Sequence, residues 1–119
     1  MSTTENMSFF FKGLEIDQRT SEYIEKRLST LDKFVENILK AEVEIDLDKK
    51  GKFRVEVMVH TPRNMFRADN TTDSVEASVD LVVDELQNQI THTMDRLRTL
   101  RKQGAMKLKE KMVIDEEAK

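Results

Sequence analysis

The chain has 119 residues, the size of one ordinary domain, which excludes two independently folding units. It carries 20 Lys and Arg against 23 Asp and Glu, a formal net charge of -3, so it is not a uniformly basic nucleic-acid-binding domain. The absence of cysteine excludes disulfides and thiolate metal sites, and no apolar run approaches the roughly 18 residues that a membrane span needs. Because the start is polar and has no apolar signal core, we expect a cytoplasmic protein without a membrane partner.

The N-terminal segment predicts a short β-strand after a polar leader. Residues 1–6 are expected to be disordered, and the run Phe9-Phe10-Phe11 predicts a first strand that Gly13 ends. Because alternate residues of a strand face opposite sides, we expect Phe9 and Phe11 to pack on the core, and Phe10 is the one candidate for an exposed, base-stacking position.

The next segment predicts an amphipathic helix from an N-cap at Asp17 to about Phe34. Its apolar residues recur at spacings of four, three and four, which places them on one narrow stripe expected to be buried. They are Ile24, Leu28, Leu31 and Val35.

A hairpin and a further strand follow. Residues 41–47 and 53–60 alternate between apolar and polar side chains, and the turn around Gly51 joins them. A shorter strand over residues 65–69 is expected to place Phe66 and Ala68 inward.

The last predicted element is a long helix. Asp73 and Glu76 predict a capping box at its start, and the helical pattern continues until Gly104. At 1.5 Å per residue this helix outruns a short sheet, so its C-terminal third should overhang the core. Its apolar stripe is Val75, Val79, Val82, Leu86, Ile90, Leu97 and Leu100.

These elements predict an α+β fold of order β-α-β-β-β-α, a four-stranded sheet with both helices on one face and strands one and two parallel. The predicted domain covers residues 7–103, and residues 104–119 form a mobile charged tail.

Catalysis finds little support in the sequence. His60 and His92 have no cysteine or nucleophile-elbow serine to serve, and three glycines are too few for a phosphate-binding loop. Asp80 and Asp84 lie one helical turn apart, but such carboxylates usually face water rather than bind a metal ion. We therefore predict no enzyme activity, cofactor, metal or small-molecule substrate.

The distribution of charge along the long helix is more informative. Residues 68–95 contain seven acids and no Lys or Arg, whereas residues 96–111 contain seven bases and Glu110 alone as an acid. Acids at the start and bases at the end complement the helix dipole without any partner. Since that effect fades within a turn, seven bases exceed what it needs, and we interpret the cluster as a polyanion-binding site.

Two other groups of bases remain open to a structural or a functional interpretation. Arg19, Lys26 and Lys33 recur every seven residues opposite the buried stripe of the first helix, where they could follow a phosphate backbone or form an ordinary solvated surface. Arg54 and Arg67 are expected on the outer face of the sheet, close enough to glutamates there to be paired with them.

Two segments, Tyr23 to Phe34 and Arg67 to Ile90, resemble the ribosome hibernation-promoting factors and ribosome-associated inhibitors of bacteria and plastids, in their short form. The resemblance runs from about Phe9 to Leu100 and is most specific where an Arg-Ala strand end, an aspartate before the helix and an Ala-x-x-Asp helix face occur together. It implies a fold like the double-stranded-RNA-binding domain.

The resemblance also implies a function. Such proteins bind the small ribosomal subunit in the channel used by mRNA and the A- and P-site tRNAs, contact 16S rRNA and stop translation by steric occlusion in stress or stationary phase. We expect the chain to be monomeric away from the ribosome and its cations to line one exposed rim. The RNA-binding residues that the resemblance implies are Lys26, Arg27, Lys33, Arg67, Arg96, Arg98, Arg101 and Lys102.

An alternative from a different class is a protein-protein interaction module or homodimer. The overhanging helix places Met94, Leu97 and Leu100 on or beside its apolar stripe, and these residues could pack on a partner or a second copy.

Overall fold

The computed structural model describes residues 6–118, and the side chains of residues 6–104. The predicted leader therefore lies outside the described residues except for its last position. The elements are β1 (Met7–Lys12), α1 (Gln18–Ser29), a 3₁₀ turn (Thr30–Lys33), β2 (Lys40–Leu47), β3 (Phe53–His60), β4 (Met65–Thr72) and α2 (Val75–Ala118). This confirms the predicted α+β fold and its order, β-α-β-β-β-α.

The four strands form one sheet in the order β1-β2-β3-β4. β1 pairs with β2 in parallel, as predicted, and the other two pairs are antiparallel. The register places Ala41 opposite Met7 and both Lys40 and Met65 opposite His60. We call the end of the sheet at these residues the upper end.

Both helices cover one face of the sheet. Asp17 caps α1, since its carboxylate accepts a hydrogen bond of 2.8 Å from the Thr20 N–H. The predicted α1 stripe is buried in full, although its last turn is a 3₁₀ helix. The stripe packs against the inward side chains of the strands, which include Val43, Ile45, Val55, Val57, Val59, Phe66 and Ala68.

The phenylalanines of β1 divide as an edge strand requires. Phe10, the one candidate for exposure, is exposed on the outer face, and Phe9 packs against the core on the inner face. Phe11 stacks on Phe9 with ring centroids 6.1 Å apart, but it is 41% exposed. The prediction that Phe11 packs in the core is therefore wrong in degree, because β1 has a neighbouring strand on only one side.

α2 is capped by a different residue from the one predicted. The Ser74 hydroxyl accepts a hydrogen bond of 3.1 Å from the Ala77 N–H, so Ser74 is the N-cap. Asp73 contacts the Lys52 ammonium instead, and the Glu76 carboxylate accepts a hydrogen bond from the Thr20 hydroxyl at 3.3 Å. The predicted capping box of Asp73 and Glu76 is thus wrong, because each carboxylate has a partner on another element.

α2 runs back along the sheet and extends beyond it. Val79, Leu86 and Ile90 are fully buried, Leu97 is half-buried and Leu100 is 51% exposed, which confirms the predicted overhang.

The helix continues past Gly104 to Ala118, so the predicted end at Gly104 is wrong. An interior glycine costs a helix only about 1 kcal/mol relative to alanine, and good helix formers follow it. The mobile charged tail over residues 104–119 stays a prediction, because the side chains from residue 105 onward lie outside the described residues. Within the described part of the chain, neither helix combines the length and the apolar character needed to cross a bilayer.

Candidate nucleic-acid interface

The predicted RNA-binding residues fall on three surfaces: α1 with its 3₁₀ turn, the outer face of the sheet, and the end of α2. Each surface gives its cations different neighbours. The neighbours determine which cations are available to an external anion.

On the sheet, the arginines are held by carboxylates. Glu56 is buried at 6% exposure, and its Oε2 lies 2.9 Å from Arg54 Nη2 and 2.6 Å from Arg67 Nη2. Arg54 also bonds Asp69, at 3.0 Å from Nη2 to Oδ2. A buried carboxylate is stable only when it is paired, so both guanidiniums are committed to the fold. This confirms the pairing alternative for Arg54 and Arg67.

The rest of the outer face is paired in the same way. Lys12 Nζ lies 2.8 Å from Glu44 Oε1, and this hydrogen bond lowers the pKa of the Glu44 carboxyl. Lys40 Nζ lies 3.2 Å from Glu42 Oε1, and the bond lowers the pKa of the Glu42 carboxyl. Both carboxylates therefore stay ionised near neutral pH, and among the described residues the outward acids are at least as numerous as the bases. The outer acids are Glu42, Glu44, Asp46, Glu56 and Asp69, and the bases are Lys12, Lys40, Arg54 and Arg67.

Arg27 is committed to the seam between the helices. Its Nε lies 2.9 Å from Asp80 Oδ1, and its Nη2 lies 3.7 Å from Asp84 Oδ1. The Tyr23 hydroxyl donates to the same Asp80 oxygen at 2.6 Å, and this hydrogen bond raises the pKa of the Tyr23 phenol.

The seam corrects one expectation from the sequence in part. Asp84 faces water, with 68% of its side chain exposed, whereas Asp80 is half-buried and bonds Tyr23 and Arg27 of α1, which places the two helices side by side in parallel. The signal was present in the one-turn spacing of Tyr23 and Arg27, which matches that of Asp80 and Asp84. Only the packing of α1 on α2 shows that the two pairs meet.

The remaining cations of α1 are exposed. Lys26 and Lys33 lie opposite the buried stripe, and neither forms an ion pair with a described residue. They are therefore available to a polyanion.

An open cleft of about 600 Å³ lies at the upper end of the sheet, under the overhanging part of α2. Three segments line it: residues 34–37, the turn 61–64 between β3 and β4, and one side of α2 from Met94 to Arg101. Arg63, Arg98 and Arg101 are its bases.

Arg63 was missed by the sequence analysis. It lies in a turn held by three hydrogen bonds between Thr61 and Asn64, of 2.9 Å, 2.8 Å and 3.0 Å, and Pro62 restricts the backbone further. The turn therefore presents Arg63 in a defined place. Nothing local in the sequence links this turn to α2, because more than thirty residues separate Arg63 from Arg98 along the chain.

The four bases at the end of α2 do not share one side of the helix. At about 100° per residue, Arg98 and Arg101 lie about 60° apart and face the cleft, whereas Arg96 and Arg98 lie about 160° apart. Lys102 is also outside the cleft lining. Arg98 has one weak exposed neighbour, with Nη1 3.7 Å from Asp95 Oδ1.

The expected single rim of cations is therefore wrong for three of the eight residues. Arg27 and Arg67 are paired with acids, and Arg96 lies on the other side of α2 from Arg98. RNA contact by any of the eight residues stays a prediction. For metals, the described residues contain no group of three or more His, Asp and Glu placed to hold an ion.

A family model described as sigma 54 modulation protein / S30EA ribosomal protein matches residues 7–98, which is most of the chain. The chain belongs to this family. The resemblance found in the sequence is thereby confirmed.

Individual relatives agree with the family model. The chain is 27% identical over 97 residues to the ribosome hibernation promotion factor of Deinococcus radiodurans, covering 78% of this chain and 51% of that protein. The chain thus spans about half the length of this curated relative.

Two solved structures share the fold. The Protein Y N-terminal domain of Thermus thermophilus is 30% identical with a TM-score of 0.68, and the match covers 74% of this chain and 98% of that one. A ribosomal subunit interface protein from Coxiella burnetii is 21% identical with a TM-score of 0.63, and covers 75% and 99%, respectively.

Proposed function

We propose that this protein is a cytoplasmic ribosome hibernation factor. It binds the small ribosomal subunit through 16S rRNA, occupies the mRNA and tRNA channel at the A and P sites, and stops translation by steric occlusion under stress or in stationary phase. The observation that carries the proposal is the family match over residues 7–98. Block of a channel needs shape and affinity but no catalysis.

The distribution of available cations supports binding to RNA phosphates. Lys26, Lys33, Arg63, Arg98 and Arg101 are exposed, and of these only Arg98 forms an ion pair with a described residue, a weak one; Glu36 lies in the cleft with the three arginines. Phosphate contacts of this kind give affinity and position without reading bases.

The paired outer face of the sheet supports a defined orientation. With its acids at least as numerous as its bases, this face offers RNA no net attraction, whereas the upper end does. A molecule whose total charge is -3 can then dock on an anion in one orientation, because local charges dominate at short range. In this proposal Arg96 adds a contact on another side of α2, Lys102 adds one a helical turn beyond Arg98, and Arg27 and Arg67 have structural roles.

The experiment is sedimentation of the full chain with purified small and large subunits at low and high potassium, together with in vitro translation. We expect co-migration with small subunits at low potassium, a steep loss at high potassium because counterions compete for the phosphates, and inhibition of translation. Large subunits are the matched control and should not carry the protein. Failure to co-migrate with small subunits at either salt concentration would refute the proposal.

The alternative is assembly with a protein partner or a second copy through the upper end. Leu39, Met65 and Leu100 are about half exposed there, at 49%, 55% and 51%. Light scattering separates the two functions. A stable dimer that is indifferent to RNA and to small subunits would favour the alternative.

A further inference from the structure

We propose that the upper cleft binds one unpaired RNA nucleotide, with the base on the apolar lining beside Phe34 and its phosphate on the arginines of the same cleft. This inference rests on the proposed function and deepens it, because it names a site where a single residue of an RNA strand is recognised. The site is built by tertiary packing of three segments that are distant in sequence.

The first step is the apolar wall. Phe34, Val35, Met94 and Leu97 line the cleft, and Phe34 keeps 36% of its surface exposed at its edge. Exposed aromatic rings that lie beside Lys or Arg side chains are the usual stacking partners of unpaired nucleotides. Exposure of this apolar wall to water is unfavourable, whereas a nucleobase that stacks on the wall removes it from water.

The second step is the charge of the lining. Arg63, Arg98 and Arg101 face one carboxylate, Glu36, which lies on the same segment as Phe34. The ion pairs between described residues include neither Arg63 nor Arg101. Guanidinium groups match phosphate in both geometry and charge, so the phosphate belongs on the arginine side and away from Glu36.

The third step is size. A volume of about 600 Å³ lies within the range of roughly 300 to 1,000 Å³ typical of sites for small ligands, which fits one nucleotide. A base inside a duplex is stacked on both faces and hydrogen-bonded at its edge, so it cannot reach the wall. The occupant is therefore an unpaired residue of a single strand rather than a helix.

The test uses the full chain and a short single-stranded RNA with one central 2-aminopurine, whose fluorescence falls when it stacks. We expect saturable quenching by the wild type. The same strand in a duplex is the control in which the probe base is paired. Phe34→Leu should keep the fold and reduce quenching and affinity by about tenfold, since leucine preserves apolar contact but not stacking. Arg63→Gln should weaken binding by about tenfold and lower the salt dependence by about one phosphate contact.

Lys49→Gln is the matched control, because it removes one exposed cation from the turn at the opposite end of the sheet. It should change the affinity less than twofold, and thermal melting should be unchanged in all three variants. If Phe34→Leu melts early, Arg63→Gln alone decides.

The two proposals can fail separately. Wild type that co-migrates with small subunits but does not quench the probe, or quenching that Phe34→Leu and Arg63→Gln leave intact, would overturn the nucleotide site alone. Equal affinity for the duplex, equal affinity for free AMP, or a dimer that covers the cleft in light scattering would overturn it as well. Quenching without small-subunit binding would instead overturn the proposed function and leave a nucleotide-binding cleft.

Discussion

The outer face of the sheet and the upper cleft both carry arginines, but their surroundings differ. On the sheet, Arg54 and Arg67 lie within 3.0 Å of carboxylate oxygens, and the carboxylate they share, Glu56, is buried. In the cleft, the described neighbours of Arg63 and Arg101 include no ion-pairing acid, and Arg98 has only a distant one. The same residue type therefore stabilises the fold in one region and is free to bind in the other.

The cause is the geometry of the two elements. Neighbouring strands can bring side chains of opposite charge within contact distance, as Lys12 and Glu44 show at diagonal positions of β1 and β2. The overhanging part of α2 has no neighbouring strand, and residues 96–104 contain no acid. The number of charges in a segment therefore predicts binding less well than the neighbouring element does, because that element supplies or lacks side chains of opposite charge.

The largest expected effects come from replacing two arginines by glutamine in each of the two regions. Arg98→Gln with Arg101→Gln should weaken small-subunit binding by about 10- to 100-fold at low salt, because two phosphate contacts are lost, and should leave the melting temperature nearly unchanged. Arg54→Gln with Arg67→Gln should lower the free energy of unfolding by ~2 kcal/mol, because Glu56 stays buried without a cation, and should keep most of the binding.

Sedimentation and urea unfolding measure the two effects for each double variant. A binding loss in the sheet variant at full stability would show that Arg67 contacts RNA directly, as the family resemblance implied. A destabilised cleft variant would mean that its arginines are structural too.

A smaller effect is expected at the helix seam, where the interacting side chains are only partly buried. Tyr23→Phe removes the hydrogen bond to Asp80, and Arg27→Gln removes the ion pair with the same oxygen. Each variant should lose ~1 kcal/mol of unfolding free energy, with a coupling of ~0.5 kcal/mol or more between Arg27 and Asp80 in a double-mutant cycle with Asp80→Asn. Strict additivity in that cycle would show that solvent screens the pair completely.

The smallest effect concerns pH. The hydrogen bond to Asp80 raises the pKa of Tyr23 above its ordinary value of about 10. A group whose folded pKa is raised contributes stability below its unfolded pKa and loses it as pH rises through the folded pKa. Stability from this contact should thus be complete at neutral pH and decline only in the alkaline range above about pH 10.

Tyr23 is the single tyrosine and the chain has no tryptophan, so near-ultraviolet absorbance follows its ionisation alone. The titration midpoint should lie above that of the unfolded chain, and Asp80→Asn should bring it back toward the ordinary value. A midpoint equal to that of the unfolded chain would contradict the seam as described.

The periodicity of side chains was enough to predict the elements and most of the core. The alternation of Val43 and Ile45 and the stripe of Ile24 and Leu28 are local patterns, and burial of one face follows from them. The family could also be recognised at this level, from residues in the segments around α1 and the start of α2.

Contacts between distant segments could not be predicted in this way. The contacts of Asp73 with Lys52 and of Glu76 with Thr20, the seam at Asp80 and the cleft that Arg63 shares with α2 each depend on which segments meet in space. Periodicity assigns a residue to a face, whereas an electrostatic interaction depends on the few ångströms between two side chains. That distance is set only when the helices and strands pack together.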